Sequence, residues 1–236
     1  MATIVLAHGA WSAGWAWNKM RPLFRAAGHE FFSPTYTGLG ERAHLARPDI
    51  DLSTHIQDVV GVLELEELRD VILLGHSYGG MVATGVADRA ADRIARMVYI
   101  DAFAPRDGQS LFDLLGPKAE ANMRAGAVRE GDGWKVPLNP MPPDTAPEDA
   151  AWAVPKRRPQ PIKTFEQRIK LTTSRWPPRH YIYATRNGPG DVFRQFATRA
   201  GSEPGWTCHE IDASHNPHIT CPDALMKLLT EIMAGK

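Results

Sequence analysis

The 236-residue chain has only two cysteines, Cys208 and Cys221, with no CxxC spacing and no Cys/His ligand cluster around them. That scarcity excludes a disulfide scaffold and a zinc site of the usual spacing, and leaves two reduced, mostly buried thiols as the expectation. Net charge is missing too, since Lys plus Arg and Asp plus Glu each number 27. No global field then draws the chain to nucleic acid or to an anionic membrane, and a small-molecule partner is expected instead. No apolar run approaches the roughly 20 residues of a membrane-spanning helix. Thr3-Ile4-Val5-Leu6-Ala7 is too short for the apolar core of a signal sequence and has no basic leader before it. A cytoplasmic protein is expected, with no metal and no cofactor; self-association as a homodimer stays open.

What is present is a 43% apolar composition, enough for a sizeable core in one domain. Short apolar runs fall at Ile4 to Ala7, Glu30 to Phe32, Val71 to Leu74, Met97 to Ile100, Tyr181 to Ala184 and Thr207 to Ile211. Segments of helical periodicity follow near Trp15 to Ala27, Ser53 to Glu66, Met81 to Ala90, Val192 to Ala200 and Ala224 to Met233. This alternation predicts an α/β fold built on a mostly parallel sheet flanked by helices.

The alternation stops between Pro105 and Pro178, a stretch that holds twelve of the nineteen prolines. Proline cannot continue a sheet ladder and interrupts helices, so the stretch reads as an excursion over the sheet. The expected organisation is a core of residues 1–104 and 179–236, with residues 105–178 as a cap inserted between core strands. Such a cap would lie above the carboxyl ends of the strands, where open α/β sheets bind ligands. Trp134, Trp152, Phe165 and Trp176 argue that it packs rather than forming a disordered linker.

Chemistry concentrates at Gly75-His76-Ser77-Tyr78-Gly79-Gly80, which runs out of the strand-like Val71-Ile72-Leu73-Leu74 into the helix-like Met81-Val82-Ala83-Thr84. A GxSxG between strand and helix puts the serine on a tight turn with its hydroxyl exposed, and Gly75 and Gly79 remove side chains that would collide with neighbouring backbone. The helix that follows turns its positive end toward a developing oxyanion. An elbow of this kind takes one oxyanion donor from the backbone N–H after the nucleophile, here Tyr78, and the other from a loop after the first strand. His8-Gly9-Ala10-Trp11 stands in that loop, which assigns the second donor to Ala10; His8 reads as a buried histidine that organises the loop.

Together with Gly14-Trp15-Ala16-Trp17, Tyr36-Thr37-Gly38-Leu39-Gly40 and the terminal Ser214-His215 followed by Pro222, these motifs resemble the α/β-hydrolase superfamily. Within it they are similar to the branch of plant methyl esterases, hydroxynitrile lyases and bacterial esterase relatives. The resemblance covers residues 3 to 116 and 179 to 234. It implies an α/β-hydrolase fold and a serine nucleophile at Ser77. The base comes last in chain order, before the last helix, and His215 matches the family position better than His218 does.

The acid is less direct, because Asn187 stands where the family usually has Asp, just after the next-to-last strand. Asp101, at the end of the strand after the nucleophile helix, corresponds to the position used by relatives such as haloalkane dehalogenases. It is preferred, with Asp191 as the alternative acid. The implied activity is that of a cofactor-free carboxylesterase acting through an acyl-enzyme on a small ester with an apolar or aromatic part, with Trp11, Tyr78, Phe103 and the cap aromatics as pocket residues.

Three rivals belong to the same fold. A hydroxynitrile lyase would typically carry Thr at Gly9 and Lys at Asn216. A ligand-binding receptor would signal through the cap, and a cofactor-independent oxygenase is more remote.

Overall fold

The computed structural model describes residues 1–188 and 190–235. In chain order its strands are β1 (Thr3–Ala7), β2 (Glu30–Phe32), β3 (Val71–His76), β4 (Ile94–Ile100), β5 (Lys135–Val136), β6 (Gln160–Pro161), β7 (Arg179–Ala184) and β8 (Trp206–Ile211). Six of them pair in parallel in the order β2-β1-β3-β4-β7-β8. β5 and β6 form a separate antiparallel pair. The helices are α1 (Met20–Ala26), α2 (Leu52–Leu65), α3 (Gly79–Arg89), α4 (Leu111–Leu115), α5 (Pro117–Glu130), α6 (Pro147–Ala153), α7 (Lys163–Glu166), α8 (Arg194–Ala200), α9 (Pro217–Thr220) and α10 (Pro222–Met233). No helix among the described residues is long and apolar enough to cross a membrane.

The period of two along each strand sorts the core into two layers. Val5, Leu73, Met97, Tyr99 and Tyr181 point to the face covered by α2, α3 and α8. Ile4, Leu74, Val98, Ile100 and Ile182 point to the other, covered by α1 and α10. With both faces covered, β3 is buried at every residue, hence its unbroken apolar run rather than an alternating one.

Two expectations about helices need correction. The helix expected over Trp15 to Ala27 is split into a 3-10 turn, Gly14–Trp17, and α1. Pro22 explains the split: it has no N–H for the carbonyl of Asn18, so an α-helix can contain it only in its first turn, and α1 begins two residues before it. The proline-rich stretch between β4 and β7 is also more helical than its composition suggested. Pro117 and Pro147 occupy the first positions of α5 and α6, where a missing N–H costs nothing.

The elbow is wedged into the core by backbone contacts that only glycine permits. A Cβ on Gly79 would lie 2.0 Å from the Ala7 carbonyl oxygen, and one on Gly80 would lie 2.0 Å from that of Phe103. Gly79→Ala is therefore expected to destabilise the fold by roughly 3 kcal/mol, the upper range of overpacking. A urea midpoint equal to wild type would mean that β1 and α3 are free to separate.

Candidate active site

Three strand ends supply the site. β3 leads into Ser77, β4 into Asp101, and the chain beyond β8 carries His215. Asp101 Oδ2 accepts from His215 Nδ1–H at 2.7 Å, and Ser77 Oγ–H donates to His215 Nε2 at 2.9 Å. Asp101 is fully buried, whereas His215 is partly open. Its ring is stacked on Phe193 with centroids 4.7 Å apart, and its backbone carbonyl accepts from His76 Nε2–H at 2.8 Å.

Backbone conformation aims these groups. Ser77 has φ +55°, Asp101 +42° and Trp11 +56°, so the first residues beyond β3 and β4 and the loop after β1 all use the left-handed region. Each such non-glycine residue costs on the order of 1–2 kcal/mol, and the turns hold because surrounding bonds determine them. The Ser77 carbonyl accepts from the N–H groups of Gly80 at 3.0 Å and Phe103 at 3.1 Å. Asp101 N–H donates to the Ile182 carbonyl at 2.8 Å. Trp11 N–H donates at 3.1 Å to Oε1 of Gln160, a fully buried amide whose Nε2 donates in turn to Thr164 Oγ1 at 2.9 Å. Trp11 Nε1–H donates to the Val136 carbonyl at 3.1 Å, and its carbonyl accepts from Arg158 N–H at 3.2 Å. The segment between β4 and β7 is thus tied directly to the loop that carries Ala10. The backbone N–H groups of Ala10 and Tyr78 donate to no other group among the described residues.

A cavity of about 410 Å³ opens onto Ser77 and His215. Its walls include Trp11, Trp15, Met141 and Arg157, and Ala10 lines it as well. Phe103, expected in the pocket, does not line it: its ring packs into the core against Phe193 and Phe196. The Tyr78 side chain is likewise directed away, with its hydroxyl donating to His55 Nδ1 at 3.0 Å, and Tyr78 does not line the cavity.

The two candidate acids are separated by geometry. Asp191 accepts from Tyr183 Oη–H at 2.5 Å and from Phe193 N–H at 2.9 Å, ordering the turn before α8 rather than meeting His215. Asn187, at the position where an acid was looked for, donates through Nδ2 to both Asp101 carboxylate oxygens at 3.1 Å. The residue that departs from the family pattern is thus a ligand of the carboxylate itself.

A model of the alpha/beta hydrolase family matches residues 4–228. The chain belongs to that family. Among its relatives, a carbendazim hydrolyzing esterase from a Nocardioides species is 38% identical over 242 residues, covering 98% of this chain and 100% of that protein. A putative chloroplastic methylesterase 13 of Arabidopsis thaliana is 24% identical over 97% of this chain, which spans 55% of that protein. Among solved structures, an extracellular α/β-hydrolase from a Paenibacillus species, described as a structural and functional homologue of tobacco salicylic acid binding protein 2, superposes with a TM-score of 0.86 at 26% identity over 98% of both chains.

This hydrolase also buries four histidines around its site. His8 organises its loop, donating from Nδ1 to the Gly9 carbonyl at 2.9 Å and accepting Tyr36 N–H at Nε2 at 3.2 Å. His55 bridges Tyr78 and the Thr37 carbonyl. His218 stacks on Trp17, and His76 packs edge-on to His218 and tilted against His215. Gln160 and Phe193 lie in no sequence motif, so nothing local marks either as part of the site.

Burial holds all four as neutral imidazoles, lowering His8 to about 4, His55 and His218 to about 3, and His76 well below its usual value. In the unfolded chain they take up protons near pH 6.5, so the unfolded state binds more protons below that pH. Stability is therefore complete above about pH 6.5 and falls as pH drops toward 4, each histidine adding up to about 1.4 kcal/mol per pH unit. Urea midpoints measured from pH 7.5 to 4.5 are expected to decline in that window; a flat profile would mean that the imidazoles are not held neutral.

Proposed function

We propose that this α/β hydrolase is a carboxylesterase in which Ser77, His215 and Asp101 act as nucleophile, base and acid, with the Ala10 and Tyr78 amides as the oxyanion hole. The observation that carries the reading is the line of hydrogen bonds from Asp101 through His215 to Ser77 Oγ at the edge of the cavity. The esterase relative matched along its whole length supports it.

In the first half-reaction Ser77 Oγ attacks the ester carbonyl carbon as its proton passes to His215 Nε2. The carbonyl oxygen becomes an oxyanion in front of the two free N–H groups, each worth roughly 3 kcal/mol in the transition state. Asp101 holds the His215 tautomer with Nδ1 protonated and stabilises the imidazolium. The intermediate collapses, the alcohol leaves with the proton from Nε2, and water activated by the same nitrogen releases the acid. The 410 Å³ cavity, with Trp11, Trp15 and Met141 in its walls, suits a small ester with an apolar or aromatic part. The lyase alternative has no observation in its favour, since Gly9 and Asn216 stand where those enzymes carry Thr and Lys.

Hydrolysis of a short-chain p-nitrophenyl ester tests the assignment. Ser77→Ala and His215→Ala are expected to fall to background, and Asp101→Asn to lose about 10⁴ in kcat, all with wild-type folding. Asp191→Asn is expected to stay within a few-fold. Undiminished turnover by Ser77→Ala would sink the mechanism. A separate substitution, Gln160→Leu, leaves Trp11 N–H without its acceptor and loosens the loop that carries Ala10. It should lower kcat roughly tenfold or more with little change in KM, whereas a change confined to KM would count against its role in positioning the oxyanion donor.

A further inference from the structure

Arg157 brings to the catalytic cavity a charge that nothing there balances. Two arginines, Arg157 and Arg186, line the cavity, and among the described residues no Asp or Glu does. Arg186 is neutralised from outside, its guanidinium lying 3.2 Å from Asp212 and 3.8 Å from Asp144. Arg157 pairs with no carboxylate among the described residues; its Nη1 donates to the Asn139 carbonyl at 2.6 Å and its Nη2 to Asn139 Oδ1. The guanidinium carbon lies 5.9 Å from the Trp11 ring centroid. Asn139 and Trp11 are themselves cavity residues, so the cation is fixed in the wall rather than sweeping through solvent.

Two physical points follow. A half-buried guanidinium does not shed its proton, so the cost of its desolvation stands until an anion or water meets it. Among the described residues, no carboxylate lines the cavity to meet that charge. A wall that holds an unpaired cation and, among the described residues, no carboxylate is matched by a ligand that brings one.

We propose that the preferred substrates are esters carrying a second, anionic carboxylate, which Arg157 holds while Ser77 attacks the ester carbonyl. They would be half-esters of dicarboxylic acids or carboxyaryl esters. This rests on the esterase reading. Arg157 then selects the substrate and takes no part in proton transfer, and Trp11 beneath it supplies the apolar floor for the part between the two carboxyl groups.

The test uses two pairs of matched esters with the full chain. The p-nitrophenyl half-ester of glutaric acid against p-nitrophenyl pentanoate puts the charge on the acyl side. 4-Carboxyphenyl acetate against 4-methylphenyl acetate puts it on the alcohol side. The ratio of kcat/KM for the charged over the neutral ester is compared between wild type, Arg157→Lys and Arg157→Gln, with Ser77→Ala as the blank. In at least one pair the ratio is expected to fall about ten- to a hundredfold in Arg157→Gln, as for loss of a charge-assisted bond, and to be partly retained in Arg157→Lys. Turnover of the neutral esters should persist, which shows that the site is still assembled. Neutral esters cleaved by both proteins with ratios unchanged in both pairs would overturn the carboxylate proposal and leave the esterase standing. No cleavage of any ester by folded wild type would remove the esterase reading, and this one with it. If Arg157→Gln fails to fold, Arg157→Lys against wild type at rising ionic strength carries the same comparison: an anion preference unaffected by either overturns it.

Discussion

The site depends on a close approach of backbone to backbone. Gly79 abuts the Ala7 and His8 carbonyls, and Gly80 abuts the carbonyl of Phe103. The start of α3 is thereby wedged between the exit of β1, which carries Ala10, and the exit of β4, which carries Asp101. The same wedge keeps Ser77 at φ +55° with its carbonyl bonded to Gly80 and Phe103. Ser77, the loop that carries Ala10, and Asp101 are spaced by main-chain contacts before any of their side chains meet. Only His215 comes from elsewhere, and it is located by a stack on Phe193 and a bond from His76. Such a frame suits a reaction whose stabilising groups must be in place before charge develops.

The histidines divide into two kinds for a physical reason. Those around the frame are buried, and desolvation outweighs every charge near them, which keeps them uncharged and leaves them useful as fixed donors and acceptors. His215 alone has both a carboxylate on one nitrogen and access to the cavity from the other. Asp101 in turn is kept in place by the Asn187 amide and the Ala184 N–H.

How much of this the sequence carried follows from how local each cause is. The four central strands were legible as apolar runs because they are largely buried on both sheet faces, whereas the edge strands β2 and β8 are only partly buried and were placed by their alternation with helical segments. Ser77 and His215 were legible from strand, turn and helix context. The choice between Asp101 and Asp191 was not, since both satisfy the chain order and only the meeting of β4 with β7 brings one of them to His215. Gln160 was invisible because its partner is 149 positions away. Phe103 was misjudged because an aromatic next to an acid at a strand end can face either the cavity or the core, and its bond to the Ser77 carbonyl turns it inward. Proline counting found the excursion between β4 and β7 but hid its helices, because proline breaks a helix in the middle and begins one at its first turn.

That excursion is more than a cover. Within four residues it provides Arg157 to the cavity wall, the Arg158 N–H to the Trp11 carbonyl, and the Gln160 amide to the Trp11 N–H. Trp11 follows Ala10 directly, so one short segment both shapes the cavity and restrains the loop that carries Ala10. On the proposed mechanism, selection of substrate and stabilisation of the transition state would be mechanically joined, with binding energy gained at Arg157 available to hold the Ala10 amide in line. In a fold whose core is set by strand ends, new substrates are reached most directly by rewriting this segment. The constraint on such change is Trp11, whose left-handed backbone must keep an acceptor for its N–H whatever replaces Gln160.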